Sequence, residues 1–553
     1  MEKLTKANQL LLTEKSYQAM IEYIDVLKEH DYPHIRHNIG LCYEISQQYT
    51  KAIQQYKTNV EKNPKYIRSY IGVANCYRHQ HDLESSLEWL EKASALDDVY
   101  PQTYFLLSAH YRSLNDLKKS THFCIMGYVR SAQLGAHDTI HYTQAYMDPM
   151  STDIYTLRKG AATILDFLYV ENIPEPDIFM LHQFFDQNVG TTDMVFKGKG
   201  QRGAKLKIGY ISEFFVCSGI LTTILPILSH HDRDNYDIHT YSLAEFEDTY
   251  TNTIRSHSRF YRNDDREGMA KRILEDKLDI LISLDGHTGT QATMNTLYNR
   301  LARIQIDFLG YPFSTGKKSI DYKIVDSFTD GEEASVFYTE NLLRPNPCFL
   351  VWKPLEDFSV PPFKDTTEHI RLLSPNNFKK LSETTVEMYS DILKATDDIH
   401  IYFKSSLHAS GDDISDFFDM YFGQFKERIH FIDFIPDKQE HYALTSTFDI
   451  ALDTYPYSGT LTTLECLYCS VPVVTLLGPH HRSRVSADIL NVIVHSELVA
   501  NHPGEYVDIV LKLSGNVKRI AKYHETLRTD LEKSPIMNYS KYVKNLENSL
   551  RLL

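Results

Sequence analysis

Residues 452–475, LDTYPYSGTLTTLECLYCSVPVVT, decide how the chain is read. An apolar run at 450–452 gives way to turn chemistry at Asp453, Pro456, Ser458 and Gly459. Thr460, Leu461, Thr462 and Thr463 then open an apolar run with helical spacing. A β-prone run follows at 471–476, so the pattern predicts strand, loop, helix and strand, one unit of a parallel sheet. Helix N-termini offer unpaired N–H groups and a partial positive charge, and the hydroxyls of Thr460, Thr462 and Thr463 stand beside this one. A diphosphate is the expected guest. The competing reading is a plain N-cap, which a hydroxyl-rich helix start also satisfies.

The same alternation runs outward from this stretch. Strands are expected at 207–212, 238–242, 279–284, 305–309 and 322–325, with helices at 222–229 and 268–276. A proline-rich bridge at 345–362 ends that series, and a second one brings strands at 371–374, 400–403 and 429–432 with helices at 382–394 and 439–446. Two doubly wound lobes with a cleft between them are predicted, ligands lying at the carboxyl ends of the strands. Residues 505–553 read as helical and are placed to pack back across both lobes.

The N-terminal part has a different texture. Tyr43, Tyr77 and Tyr111 are 34 residues apart, as are Ile39, Val73 and Leu107, and small residues keep the step at Gly40, Ala74 and Ser108 and at Ala52, Ser86 and Ser120. A 34-residue period with two helices per unit is the tetratricopeptide signature. Repeats are expected at 33–66, 67–100 and 101–134, with 1–32 a shorter capping unit. Such a stack either binds an extended peptide in its groove or serves only as a structural shoulder. Residues 135–203 lose the period and form a helical linker region, in which KGKGQRGAK (197–205) reads as a solvated connector.

Composition sets the bounds. At 553 residues the chain needs three or four units, and 42% hydrophobic with 24% charged residues is ordinary for globular protein. A formal charge of −15 argues against a nucleic-acid partner. The N-terminus reads as a charged amphipathic helix, and no apolar run is long enough for a membrane, so a cytoplasmic location is expected, nucleocytoplasmic in a eukaryote. The seven cysteines lack a framework, and Cys466 and Cys469, a C-x-x-C inside the expected helix, read as packing before redox or zinc chemistry.

Polar groups collect at the strand ends: Asp285 and His287 after the third expected strand, Asn376, Asn377, Lys379 and Lys380 after the first of the second lobe, and Lys438 and His441 ahead of the opening stretch. No D-x-D pair stands in a metal-ligand context. Lys380, His441 and the amides of 460–463 are then the groups to neutralise a departing diphosphate, with Glu465 accepting from a ribose diol.

The pieces YISEFF, DGHTGT, LGYPFSTGKKSIDY, NNFKKLSETT and DKQEH, followed by the opening stretch and preceded by the repeats, resemble the O-GlcNAc transferase and SPINDLY family of glycosyltransferases. The resemblance implies an α plus α/β architecture, a tetratricopeptide solenoid followed by a GT-B fold. It also implies metal-free, inverting transfer of one sugar from a nucleotide donor to protein Ser or Thr. The domains are then 1–134, 135–203, an acceptor-side lobe at 204–362 and a nucleotide-sugar lobe at 363–553.

By the same resemblance Asn377 and Lys380 bind the donor, Lys380 falling where the family has an amide near the diphosphate, while Lys438 lies beside the base and His441 is near the nucleotide. Thr460, Leu461, Thr462 and Thr463 bind the diphosphate, Glu465 the ribose, and His287 faces sugar and acceptor. Lys380, His287 and Asp285 are the catalytic candidates, with proton removal through His287, Asp285 or water. There are departures. Glu383 stands where the family has its diphosphate lysine, Cys217 where it often has a histidine, and Thr460 where animal members have one. Of the animal asparagine ladder only Asn38 matches, with Gly72 and Leu106 on the next rungs. UDP-GlcNAc is the preferred donor. GDP-fucose, UDP-glucose, an asparagine acceptor, a lapsed peptide-binding scaffold and a homo-oligomer stay open.

Overall fold

The computed structural model describes residues 2–13, 15–96, 100–113, 164–171, 173–187, 195–196, 205–263, 265–363, 369–404, 418–419 and 421–553, with isolated positions at 119–130. It divides into two compact units, Met1–Gly160 and Ala161–Leu553. Most of the third expected repeat beyond 113, and the linker at 135–163 and 197–204, lie outside the described residues. Among the described ones, 164–187 of the expected linker belong to the second unit.

In the first unit, helices α1 (Glu2–Leu12), α2 (Ser16–Glu29), α3 (Pro33–Ile45), α4 (Tyr49–Lys62), α5 (Ile67–His79), α6 (Leu83–Ser94) and α7 (Pro101–Ser113) each pack on the next. The periodic positions do the packing: Ile39, Val73, Leu107, Ala52, Ser86 and Leu90 are all buried. Tyr43 and Tyr77, expected between the helices, are only half-buried. Tyr56 fills that space instead. Its ring is clasped by two glycines: an added Cβ at Gly40 would lie 2.5 Å from Tyr56 Cε1, and one at Gly72 2.5 Å from its Cζ. Gly40→Val should therefore destabilise this unit by about 2 kcal/mol through overpacking, and adding Tyr56→Leu should recover part of the loss. Thermal unfolding of the three chains checks this, and an unchanged melting curve for Gly40→Val would refute the clasp.

The second unit holds two all-parallel sheets. The first has the order β3-β2-β1-β4-β5-β6-β7 and the second β10-β9-β8-β11-β12-β13. The strands are β1 (Leu206–Ser212), β2 (Tyr236–Ser242), β3 (Arg259–Arg262), β4 (Ile280–Ser283), β5 (Ile304–Asp307), β6 (Tyr322–Ile324), β7 (Asn341–Leu343), β8 (Ile370–Ser374), β9 (Ile399–Lys404), β10 (Ile429–Ile432), β11 (Ile450–Leu452), β12 (Val473–Leu476) and β13 (Val499–Ala500). β4, β5, β11 and β12 are buried along their whole length, as parallel strands covered on both faces must be. The two doubly wound lobes are as the alternation predicted. β3, β7 and β13 were not predicted, being short edge strands with little apolar pattern.

The chain reverses strand order between β1 and β4 in the first lobe and between β8 and β11 in the second. Those switch points open the crevices. After helices Pro503–Ser514 and Val517–Lys533 on the second lobe, Tyr539–Arg551 returns to the first, where Glu547 accepts from His231 (2.8 Å) and the Asp232 N–H (2.9 Å).

Candidate functional site

At the second switch point the loop between β11 and the Leu461–Tyr468 helix is held by Asp453, which is buried. Its Oδ1 accepts the Gly459 N–H (2.7 Å) and the Asn376 amide (2.9 Å), and its Oδ2 the Thr475 hydroxyl (2.7 Å). Asn376 Oδ1 in turn takes the Thr462 hydroxyl (3.0 Å) and Lys380 Nζ (3.3 Å). Lys380 Nζ also donates to the Ser458 carbonyl (3.1 Å) and sits 4.4 Å over the Tyr457 ring. Burial pushes its ammonium down to about 8 from an ordinary 10.5, against the pull of Asp453. A cation and a helix N-terminus thus converge where the strand order reverses.

The amide that reaches this loop is Asn376, not Asn377. Asn377 is exposed and folds its Oδ1 onto the Lys379 N–H (3.0 Å), because the turn it opens buries Phe378 instead. The threonines also divide. Thr462 faces the loop, while Thr463 is buried against the Ser486 hydroxyl (2.7 Å), which leaves only its backbone for a ligand. Thr460 is the N-cap residue and Leu461 the first of the helix, both half-buried. Glu383 is exposed in the first turn of the next helix, so a missing lysine there takes nothing from the loop.

Beside the loop lies a narrow, partly open pocket at the carboxyl ends of β8, β9 and β10, with Leu373, Ile432 and Phe448 as apolar lining and Lys404, His441, Thr462 and Glu465 as polar groups. Glu465 binds Lys438 Nζ (3.0 Å) and His441 Nε2 (3.2 Å). Burial opposes its charge, but His441, Lys438 and Lys404 outweigh that and hold the carboxyl down to about 2. The three groups placed on a nucleotide therefore form one cluster on the rim of an apolar slot.

In the first lobe Asp285 and His287 both turn inward. Asp285 is fully buried, accepting the Ser212 hydroxyl (2.5 Å), the Glu213 N–H (2.8 Å) and the Thr293 hydroxyl (2.5 Å), and burial raises it to about 7 despite those donors. His287, 3% exposed, places Nε2 on the Thr315 carbonyl (2.7 Å), and burial lowers it to about 4. Gly286 makes the inward turn with φ of +54°, lying so close to Tyr311 that a Cβ would be 2.1 Å from the tyrosine's own. Cys217 is exposed with its thiol raised by burial of its surroundings, and Glu213 caps the 290–292 turn. The lobes meet here: a Cβ at Gly219 would lie 2.1 Å from Leu461 Cδ1.

The linker helices supply groups not anticipated from the sequence. Tyr169 packs on Tyr457 (4.9 Å between centroids), Glu171 accepts from the Thr384 N–H (3.0 Å), and Glu175 binds Arg482 (2.8 Å). Cys466 and Cys469 are buried and unbridged, with thiols raised by burial, as packing requires.

The family model of glycosyl transferase family 41 matches residues 188–354 and 367–546. The protein named "Probable UDP-N-acetylglucosamine--peptide N-acetylglucosaminyltransferase SPINDLY" of Solanum lycopersicum is 30% identical over 357 residues, which are 63% of this chain and 38% of that protein. The SEC protein of Arabidopsis thaliana, named for the same activity, is 25% identical over 361 residues, 62% of this chain and 36% of its own. This chain thus spans well under half the length of the curated relatives it matches. A Thermobaculum terrenum O-GlcNAc transferase structure shares the fold with a TM-score of 0.64 at 20% identity, covering 100% of this chain and 96% of that one. No helix among the described residues is long and apolar enough to cross a membrane.

Proposed function

The chain belongs to glycosyl transferase family 41, and on that footing we propose that it moves a single sugar from a nucleotide donor to Ser or Thr of protein acceptors, inverting the anomeric carbon without a metal in the transfer. One observation carries the reading. Lys380, Asn376 and the start of the Leu461–Tyr468 helix meet at a switch point, beside an apolar slot rimmed by Lys438, His441 and Glu465. The slot suits a base and ribose, and the loop suits the diphosphate leaving group. Lys380 and the amides of 460–463 stabilise its charge as the acceptor hydroxyl attacks. Asp285 and His287 act by positioning the 285–293 loop, and the acceptor proton passes to water.

UDP-GlcNAc is the proposed donor, supported by the names that the plant relatives carry. The repeats are proposed to bind the acceptor chain. The free cysteines among the described residues support a reducing, cytoplasmic setting. Incubation with a panel of labelled nucleotide sugars and a lysate tests the activity: acid-stable protein labelling from UDP-GlcNAc is expected. Labelling from GDP-fucose alone would change the donor, and none from any donor would leave a peptide-binding scaffold. Glu465→Gln removes the charge that holds Lys438 and His441 in place, and UDP affinity should fall about tenfold by calorimetry. An unchanged affinity would take the ribose out of this slot.

A further inference from the structure

A second polar cluster lies apart from the donor residues. Asp326 follows β6, Cys348 belongs to the bridge between lobes, and Asp488 is on the Val485–Val492 helix of the second lobe. One carboxylate oxygen of each aspartate and the Cys348 sulfur lie within 4.8 Å of one another, and the residues Asp326, Cys348 and Asp488 are 0%, 2% and 1% exposed respectively. Asp326 is satisfied, its Oδ1 accepting the N–H groups of Phe328 (2.8 Å) and Thr329 (2.7 Å) and its Oδ2 that of Phe349 (2.8 Å). Asp488 is not: neither oxygen makes a hydrogen bond of ordinary geometry, and the carboxyl faces the Cys348 thiol and the Asp326 carboxyl. Arg484, one turn earlier, lays its guanidinium over the Phe328 ring, 5.0 Å from the centroid. Two carboxyl groups and a thiol at such depth either keep their protons or exchange them for a cation, because unpaired buried charge is strongly unfavourable.

We propose that Asp326, Cys348 and Asp488 bind a zinc-class divalent ion that pins the second lobe to the first lobe and the bridge. A sulfur ligand selects zinc over magnesium or calcium, which take oxygen. One atom each from Asp326, Cys348 and Asp488 supplies three of the four positions such an ion takes, the fourth being left for water. The thiol proton and the proton shared by the Asp488 and Asp326 carboxyls leave to solvent as the bonds to the metal form. The ion's role is structural, since no ligand is shared with the donor loop.

The full chain, purified without chelators, should carry about one zinc per chain by mass spectrometry of the metal. Cobalt exchanged into the site should give a sulfur-to-cobalt charge-transfer band that Cys348→Ser abolishes, and Asp488→Asn should lose the metal. Stripping the ion should lower Tm by about 5 °C, with recovery on adding zinc and not magnesium. A chain that takes up no zinc, with Tm indifferent to it, overturns the proposal and leaves Asp488 sharing a proton with Asp326. Zinc bound equally well by both variants overturns it too, because the metal then lies elsewhere, as on the stacked His369, His400 and His430 rings.

Discussion

Lys380→Ala should lower kcat/KM for sugar transfer by about a thousandfold while leaving the melting temperature nearly unchanged. The ammonium is held by two carbonyl-type acceptors, Ser458 O at 3.1 Å and Asn376 Oδ1 at 3.3 Å, and by the Tyr457 ring at 4.4 Å, so it is fixed where a diphosphate would depart. Its preorganised charge is worth more than a surface lysine's because little water competes for it. The pH dependence follows from the lowered value of about 8. The cation is the useful form, and it is present below that value in the free protein. UDP affinity should therefore fall roughly tenfold per unit as pH rises above it, and this limb should vanish in Lys380→Ala. For stability the sign is opposite. Between about 8 and 10.5 the unfolded chain holds a proton that the folded one has released, so this group's contribution to stability rises with pH. Retention of more than about a tenth of the activity by Lys380→Ala would remove the lysine from the mechanism.

The second large effect belongs to Asp453→Ala. The carboxylate is 1% exposed and joins three segments, accepting from Gly459, Asn376 and Thr475 at 2.7–2.9 Å. Removing it leaves three buried donors unpaired, at about 1 kcal/mol or more each, so the second unit should lose about 3 kcal/mol and melt roughly 3–5 °C lower. Transfer should fail as well, since Asn376 aligns both Thr462 and Lys380. Asp453→Asn keeps an acceptor of the same shape and should recover most of the stability. Differential scanning calorimetry of the two variants decides the matter: if Ala melts as Asn does, the carboxylate is not the knot of this loop.

The periodic features were legible in advance. The 34-residue step placed Ile39, Val73 and Leu107 in the helical core, and the alternation of apolar runs with turns placed the buried strands and the helix at 461. Both follow from local rules, the spacing of side chains on a helix or strand and the chemistry of caps and turns. Strands β3, β7 and β13 escaped because edge strands are set by a neighbour's free hydrogen bonds more than by their own apolar pattern.

Within the site, sequence alone determined which residue types end the strands: the lysine and asparagines after β8, the acid and histidine after β4, the threonines at a helix start. Only the tertiary structure decided which of them meet. Whether Asn376 or Asn377 turns inward depends on Phe378 finding the core, and Asp285 and His287 turn inward because Gly286 packs against Tyr311. Glu465, Lys438 and His441 are joined across 24 to 27 residues by the packing of two helices. Tyr169 reaches the donor loop, and Glu171 the helix at Thr384, from more than 200 residues away. Strand-end chemistry is written locally, whereas the direction of each side chain is settled by close packing among elements distant in the chain.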